Sequence, residues 1–335
     1  MVAKEFYDIT IIGGGPVGMF AATYARMRLA KTQIIEILGQ LGGQVSALFP
    51  AKKIYDIPAF PEITGTELIA HLKQQVEKFE PDIFLNERVE SFTQITGGFE
   101  IKTSKRTTYS KTIIIATGAG AFEPRKLKVA AADRFEDKQL HYFVKDLKAF
   151  SNKEVAIAGG GDSAVDWALE LASIAKAVHL IHRRDKFRAL ESSVLALKET
   201  KTILHTPYLI TDLSSAQDKL CISLEKPRSA EKKELTVDHL LVNYGFASSS
   251  KLLESWALEL DHHNIAVNAK NETSIPGVYA IGDIAAQADK LNLMATGFGE
   301  APSVINSALL RIYPEKRQPA HSTQLIKKFE AAQDN

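Results

Sequence analysis

Apolar residues recur along the chain in one arrangement. Short unbroken runs, such as Ile9-Thr10-Ile11-Ile12 and Val155-Ala156-Ile157-Ala158, read as strands buried on both faces, as in parallel sheets. Each run ends at a glycine cluster and is followed by a helical stretch. A second short strand comes next, Gln33-Ile34-Ile35 in one case and Val178-His179-Leu180-Ile181 in the other. The same strand–turn–helix–strand unit thus occurs twice, from Asp8 to about Ile37 and from Glu154 to about His182. Two such units predict an α/β protein with two Rossmann-like dinucleotide-binding domains.

Between them, Thr64-Gly65-Thr66-Glu67 has the form of a capping box opening a helix. Leu68, Ile69, Leu72, Val76 and Phe79 follow at helical spacing, so this helix should bury one face and carry no chemistry. Three further runs predict strands: Ile113 to Gly118, Leu240 to Gly245 and Gly277 to Asp283. A doubly wound sheet places its ligand contacts at such strand ends.

Charge changes this picture little. Lys plus Arg number 41 and Asp plus Glu 40, so no global field favours nucleic acid or an anionic membrane. The 335 residues suffice for two domains. No apolar run approaches the roughly 18 residues that span a bilayer, and the first residues lack the features of a signal peptide. A soluble cytoplasmic protein is the expectation, with no metal site. The single cysteine, Cys221, can form neither an internal disulfide nor a Cys-x-x-Cys pair. It is expected to be a buried structural thiol.

The first glycine cluster reads Gly13-Gly14-Gly15-Pro16-Val17-Gly18, with a helical segment from about Met19. In G-x-G-x-x-G, Gly13 permits the tight turn and Gly15 lets backbone N–H groups approach a pyrophosphate. Gly18 allows close packing of helix on strand. The spacing alone is a weak signal. Glu36 strengthens it, because a carboxylate ending the second strand can accept from ribose hydroxyls and would repel a 2′-phosphate. The second cluster, Gly159-Gly160-Gly161-Asp162-Ser163-Ala164, has Gly159, Gly161 and Ala164 at the motif positions. Here the second strand ends in His182-Arg183-Arg184, with Arg188 one helical turn on. Guanidinium forks in place of the acid favour a phosphorylated ribose, hence NADP over NAD. His182 is expected to pack beside the adenosine end rather than to act in catalysis.

Together these residues resemble the thioredoxin-reductase-like flavoproteins, through the paired glycine motifs, Leu41-Gly42-Gly43-Gln44, Ala116-Thr117-Gly118 and Ile281-Gly282-Asp283. The resemblance implies an FAD domain of residues 1–122 and 248–335, interrupted by an inserted NADPH domain of residues 123–247. That family's dithiol lies shortly before the second glycine motif. Here the region reads His141-Tyr142-Phe143-Val144-Lys145-Asp146, without sulfur, which excludes reduction through a protein dithiol. The nearer resemblance is to ferredoxin–NADP reductases of the thioredoxin-reductase-like type. It covers essentially the whole chain and includes Ser46 to Pro50, Gly161 to Ala168, Gly297 to Asn306 and Ala320-His321-Ser322-Thr323.

The resemblance implies a ring on each face of the isoalloxazine, Phe49 from an early loop and His321 from the C-terminal extension. Relatives often carry Tyr where Phe49 stands; Phe keeps the stacking face and loses a phenolic hydrogen bond. Tyr55 is a second candidate for the early ring, with local packing as its other reading. Gln44, Val89, Phe122, Asp283 and Thr323 are placed around FAD by the same likeness. Asp283 would accept from a ribityl hydroxyl, and Gln44 would donate to a phosphate or flavin oxygen. Val89 would offer main-chain groups to adenine and Phe122 apolar surface, with plain core packing as the other reading for both. Ser322 and Thr323 would bond the flavin edge, while His321 and Ser322 would steer protons or gate access. The polar segment after Thr323 is expected to fray.

The implied reaction is hydride exchange between NADPH and FAD, followed by one-electron transfer to ferredoxin or flavodoxin, with no side chain as nucleophile or acid/base. A homodimer is implied too. Lys52, Lys53, Arg125, Lys126 and Lys128 are candidates for docking an acidic partner, with ordinary solvated surface as the other and favoured reading for each. Two other readings stand beside this one. The first is an NADPH-dependent flavin oxidase, diaphorase or small-disulfide reductase; the second is a non-catalytic flavin redox-sensing module.

Overall fold

Strand Phe6–Ile12 takes up the first apolar run, and alternate residues serve opposite faces of one sheet. Ile9 and Ile11 pack with Met19, Ala22 and Ala25 of the following helix, while Ile12 packs with Ile113 and Ile115 on the other face. The computed structural model describes residues 4–48, 50, 52–118, 123–136, 138–144, 147–247, 250–316 and 322–333. The chain divides into two compact units, Met1–Ala121 with Ser248–Asn335, and Phe122–Ala247.

In the first unit the parallel strands run in the order Asp82–Phe84, Thr32–Ile35, Phe6–Ile12, Thr107–Ile115 and Val278–Ala280. The last of these comes from beyond the second unit in sequence. It lies along Ile113–Ile115, while the antiparallel strands Gly98–Thr103 and Val89–Ile95 continue the sheet from the earlier half of Thr107–Ile115. Helices Pro16–Met27, Gly65–Phe79 and Met294–Ile312 cover one face. The capping box is formed: Thr64 Oγ1 accepts from Glu67 N at 3.3 Å and the Glu67 carboxylate accepts from Thr64 N at 2.9 Å. Leu68, Ile69, Leu72, Val76 and Phe79 are all buried. Helix Pro16–Met27 begins three residues before the expected Met19, because proline suits a first helical position whose N–H would go unpaired anyway.

The second unit has a five-stranded parallel sheet in the order Leu140–His141, His239–Val242, Glu154–Ala158, Ala177–Ile181 and Ile203–His205. Helix Asp162–Ala172 covers one face, and the antiparallel strands Leu209–Ala216, Lys219–Glu225 and Lys232–Val237 cover the other. Both units are therefore α/β, each built on parallel strands with helices packed on one face. Among the described residues no helix is long and apolar enough to cross a membrane.

Two expectations fail here. Cys221 is half-buried rather than buried, because Leu220, Ile222 and Leu224 take the inward positions of its strand and the period of two turns Cys221 outward. The segment after Thr323 is helical as far as Gln333, within Ser322–Gln333, where fraying is expected, and Leu325 and Phe329 are buried four residues apart. Phe329 meets the Phe79 ring edge-on at 5.0 Å, which ties an otherwise polar helix to the core.

Candidate functional site

At the end of Phe6–Ile12 the chain turns through Gly13 at φ +108°, a conformation that strains any residue with a Cβ. A Cβ there would also stand 2.5 Å from the Ala116 carbonyl oxygen, and one on Gly18 would stand 2.0 Å from the Gly13 oxygen. The helix thus sits directly on the strand ends, with its partly positive N-terminus open above them. Gly15 has only the Gly43 Cα near, at 3.9 Å. The 41–44 segment closes over this turn, Gly42 N donating to Gly14 O at 2.8 Å. Gly43 adopts φ +52°, and a Cβ on it would come within 2.9 Å of Gly15 Cα. Two bare backbones therefore pack directly against each other, in a contact that a side chain on Gly43 would force apart.

Glu36 stands at the end of the next strand and is buried. Its Oε2 accepts from Gly14 N at 2.5 Å and its Oε1 from Leu38 N at 2.8 Å. Burial pushes its pKa up, against the pull of the Leu38, Gly14 and Ile37 amides. Each oxygen retains a lone pair for a further donor. Glu87 N donates to the Glu36 carbonyl at 2.9 Å, which brings the start of strand Val89–Ile95 beside this site. The Val89 side chain itself belongs to the core with Ile12 and Ile35. At the end of Thr107–Ile115, the Thr117 hydroxyl is buried and has no partner among the described residues. A Cβ on Gly118 would lie 3.7 Å from Gln44 Nε2, so the Gln44 amide reaches the same strand end. Asp283 follows strand Val278–Ala280 in a short 3-10 turn, with its pKa raised by burial.

The structure thus brings Gly13, Gly15, Gly18, Glu36, Gln44 and Asp283 to the ends of neighbouring parallel strands. A side-chain-free glycine turn at a helix N-terminus, an unsatisfied buried hydroxyl and carboxylates with spare lone pairs suit a dinucleotide. Phe49, Phe122 and His321 lie outside the described residues. Ser322 opens the C-terminal helix and Thr323 is exposed on it. Tyr55 is 66% exposed, so local packing covers only a minor part of it.

In the second unit, a Cβ on Gly159 would stand 2.5 Å from the Asn243 oxygen and 2.7 Å from the Ala164 Cβ, so strand and helix are again in close contact. Nothing lies within 4 Å of the corresponding position on Gly161, which leaves the helix N-terminus open. His182 packs its ring against Gly160 and stacks on Phe187, with centroids 5.4 Å apart. Its Nε2 lies 3.2 Å from Lys186 O. Burial lowers its pKa, and Arg183, Arg184 and Arg188 lower it further. All three arginines are exposed, and none has an acidic partner among the described residues. Arg188 N donates to Gly160 O at 2.7 Å, which ties the basic loop to the glycine turn.

Of the surface cations, Lys53 pairs with Glu62 at 3.1 Å and Lys126 with Glu136 at 2.9 Å. No group of three or more His, Cys, Asp or Glu among the described residues is arranged to hold a metal ion. Sequence reasoning gave no role to Thr117 or to an ion pair between Lys290 and Glu300, which lies under the Asp283 turn. Thr117 and Glu300 fall in runs that carry the resemblance, Ala116-Thr117-Gly118 and Gly297 to Asn306, but neither run gives those side chains a readable mechanism.

Two glycine turns at the strand ends of two parallel sheets, one beside an acid and one beside three arginines, define a protein of the two-dinucleotide oxidoreductase class. The chain belongs to the pyridine nucleotide-disulphide oxidoreductase family, whose defining pattern matches residues 7–308. The ferredoxin–NADP reductase of Ligilactobacillus salivarius is 51% identical over 341 aligned residues, covering 100% of both chains. Ferredoxin–NADP reductase 2 of Latilactobacillus sakei is 50% identical over 324 residues, 96% of this chain and 99% of that one. Among solved structures, the thioredoxin reductase of Lactococcus lactis superposes with a TM-score of 0.78 at 26% identity, over 92% of this chain and 99% of that one.

Proposed function

We propose that the chain is an FAD-dependent ferredoxin–NADP reductase, with FAD in the first unit and NADPH in the second. Identity near 50% to reductases of that name, along nearly the whole chain, carries this reading. When bound, FAD supplies the capacity to accept a hydride from NADPH and to release electrons singly. The chain's own residues bind and orient. Gly13, Gly15 and Gly18 bring backbone N–H groups and a helix terminus to the pyrophosphate. Glu36 accepts from ribose, Val89 offers main-chain groups at the adenine end, and Gln44, Thr117 and Asp283 meet the flavin end. Phe49, Phe122, His321, Ser322 and Thr323 complete that site in this proposal, Phe49 and His321 as stacking rings. Gly159, Gly161 and Ala164 hold the second pyrophosphate, while Arg183, Arg184 and Arg188 grip the 2′-phosphate through charge-assisted forks.

Ferredoxin is the proposed electron acceptor and flavodoxin a second one; a cytoplasmic homodimer belongs to the same proposal. Reduction through a protein dithiol is not available to a chain with one cysteine. The test is anaerobic mixing with NADPH, followed by ferredoxin-dependent cytochrome reduction. Bleaching of the flavin band and ferredoxin-dependent turnover are expected. An unbleached flavin would leave only a sensing module. Bleaching with strong quinone reduction and no ferredoxin turnover would favour the oxidase or diaphorase reading.

A further inference from the structure

The turn that carries Asp283 rests on two charges. The Lys290 and Glu300 side chains are only 5% and 10% exposed, and Lys290 Nζ lies 2.6 Å from Glu300 Oε1. The other Glu300 oxygen accepts from Gly282 N at 2.7 Å. Lys290 Nζ also donates to Gly282 O at 2.8 Å and to Ala285 O at 3.3 Å. The pair therefore grips both polar groups of the residue before Asp283 and a carbonyl just after it. Gly282 sits at φ +70°, and a Cβ on Gly297 would lie 3.3 Å from its Cα, so helix Met294–Ile312 lies flush against the turn. Glu300 comes from the next turn of that helix.

A buried ion pair is by itself weak ground for stability, since desolvation of both ions offsets their attraction. The pair does have a directed effect on Asp283: burial raises that carboxyl's pKa, Lys290 lowers it and Glu300 raises it. No donor among the described residues bonds the Asp283 carboxylate, so its acceptor capacity is uncommitted.

We propose that Lys290 and Glu300 are positioning residues for the flavin nucleotide, fixing the Gly282 turn and balancing charge around Asp283 so that it accepts from a ligand hydroxyl. The proposal rests on the reading that the first unit holds FAD. The full chain, stripped of flavin, is titrated with FAD between pH 5 and 8, with quenching of flavin fluorescence as the readout. Wild type should bind. Lys290→Met leaves Glu300 facing Asp283 without its cation; the dissociation constant should rise about 100-fold at neutral pH, and the acid limb should move to higher pH. Glu300→Gln keeps an acceptor for Gly282 N and leaves Lys290 in place. It should weaken binding by at most about 10-fold and move the acid limb to lower pH. The double variant, which carries neither charge, should bind more tightly than Lys290→Met alone. Opposite displacements of the two limbs are the signature, since a merely structural pair would weaken binding with no displacement. Wild-type affinity in both single variants, or equal weakening with a fixed limb, would overturn the inference while the FAD reading stands. A wild type that takes up no FAD overturns both.

Discussion

The two glycine crevices share a motif and differ in how much of the binding surface exists beforehand. In the first, the acid is buried and already held by two backbone amides, and a second loop closes over the turn. In the second, Gly161 faces open space and the three arginines stand exposed. Long exposed side chains lose rotamer freedom on binding, whereas a clamped carboxylate has already lost it. Under the proposed assignment the first crevice would retain its nucleotide and the second would exchange it, as a resident cofactor and a consumed cosubstrate divide.

The strongest way to break this contrast is to force the two touching glycine backbones apart. Gly43→Val would place a Cβ 2.9 Å from Gly15 Cα at a positive φ. Backbone strain and overpacking together are expected to weaken FAD binding by about 4 kcal/mol, roughly 1,000-fold. Flavin retained through gel filtration measures the outcome, and a fully coloured variant would show that this contact does not shape the site.

Acid separates the units next. His205 is 3% exposed and stacks on His179, with 3.0 Å between ring nitrogens. Burial, then Lys233 and His179, lowers its pKa from 6.5 to about 4. Between those values the unfolded chain takes up a proton that the folded chain refuses, so its contribution is intact above pH 6.5 and is lost as pH falls toward 4. The loss is on the order of 3 kcal/mol. Glu36 and Asp283 have raised values, so acidification acts on them with the opposite sign. Denaturant unfolding of the flavin-free chain at pH 7 and pH 4.5 should show the second unit weakened more; His205→Asn should flatten that difference.

The smallest effect concerns cofactor choice. Arg183→Ala combined with Arg184→Ala should raise KM for NADPH about 30-fold and leave KM for NADH nearly unchanged. Equal losses for both cofactors would show that these arginines do not read the 2′-phosphate.

What the sequence revealed of all this followed from local rules. Glycine spacing, the strand before it and the charge two elements later could be read at both crevices, because each is a short-range consequence of one βαβ unit. The capping box at Thr64 was legible for the same reason. The Lys290–Glu300 pair was not, since it joins a loop to a helix and its meaning depends on burial that no spacing encodes. Cys221 misled because sulfur suggests a core residue, while strand alternation decided its side. The last helix misled through its polar composition, although Leu325 and Phe329 alone suffice to seat it.

The return of Val278–Ala280 to the first sheet has a consequence for biosynthesis. A ribosome completes Phe122–Ala247 while the strand leading to Asp283 and helix Met294–Ile312 are still unmade. The inserted unit can therefore fold first, as domains generally do during synthesis. The unit begun earliest closes last, with its early strands waiting on an unfinished edge until the final quarter of the polypeptide emerges.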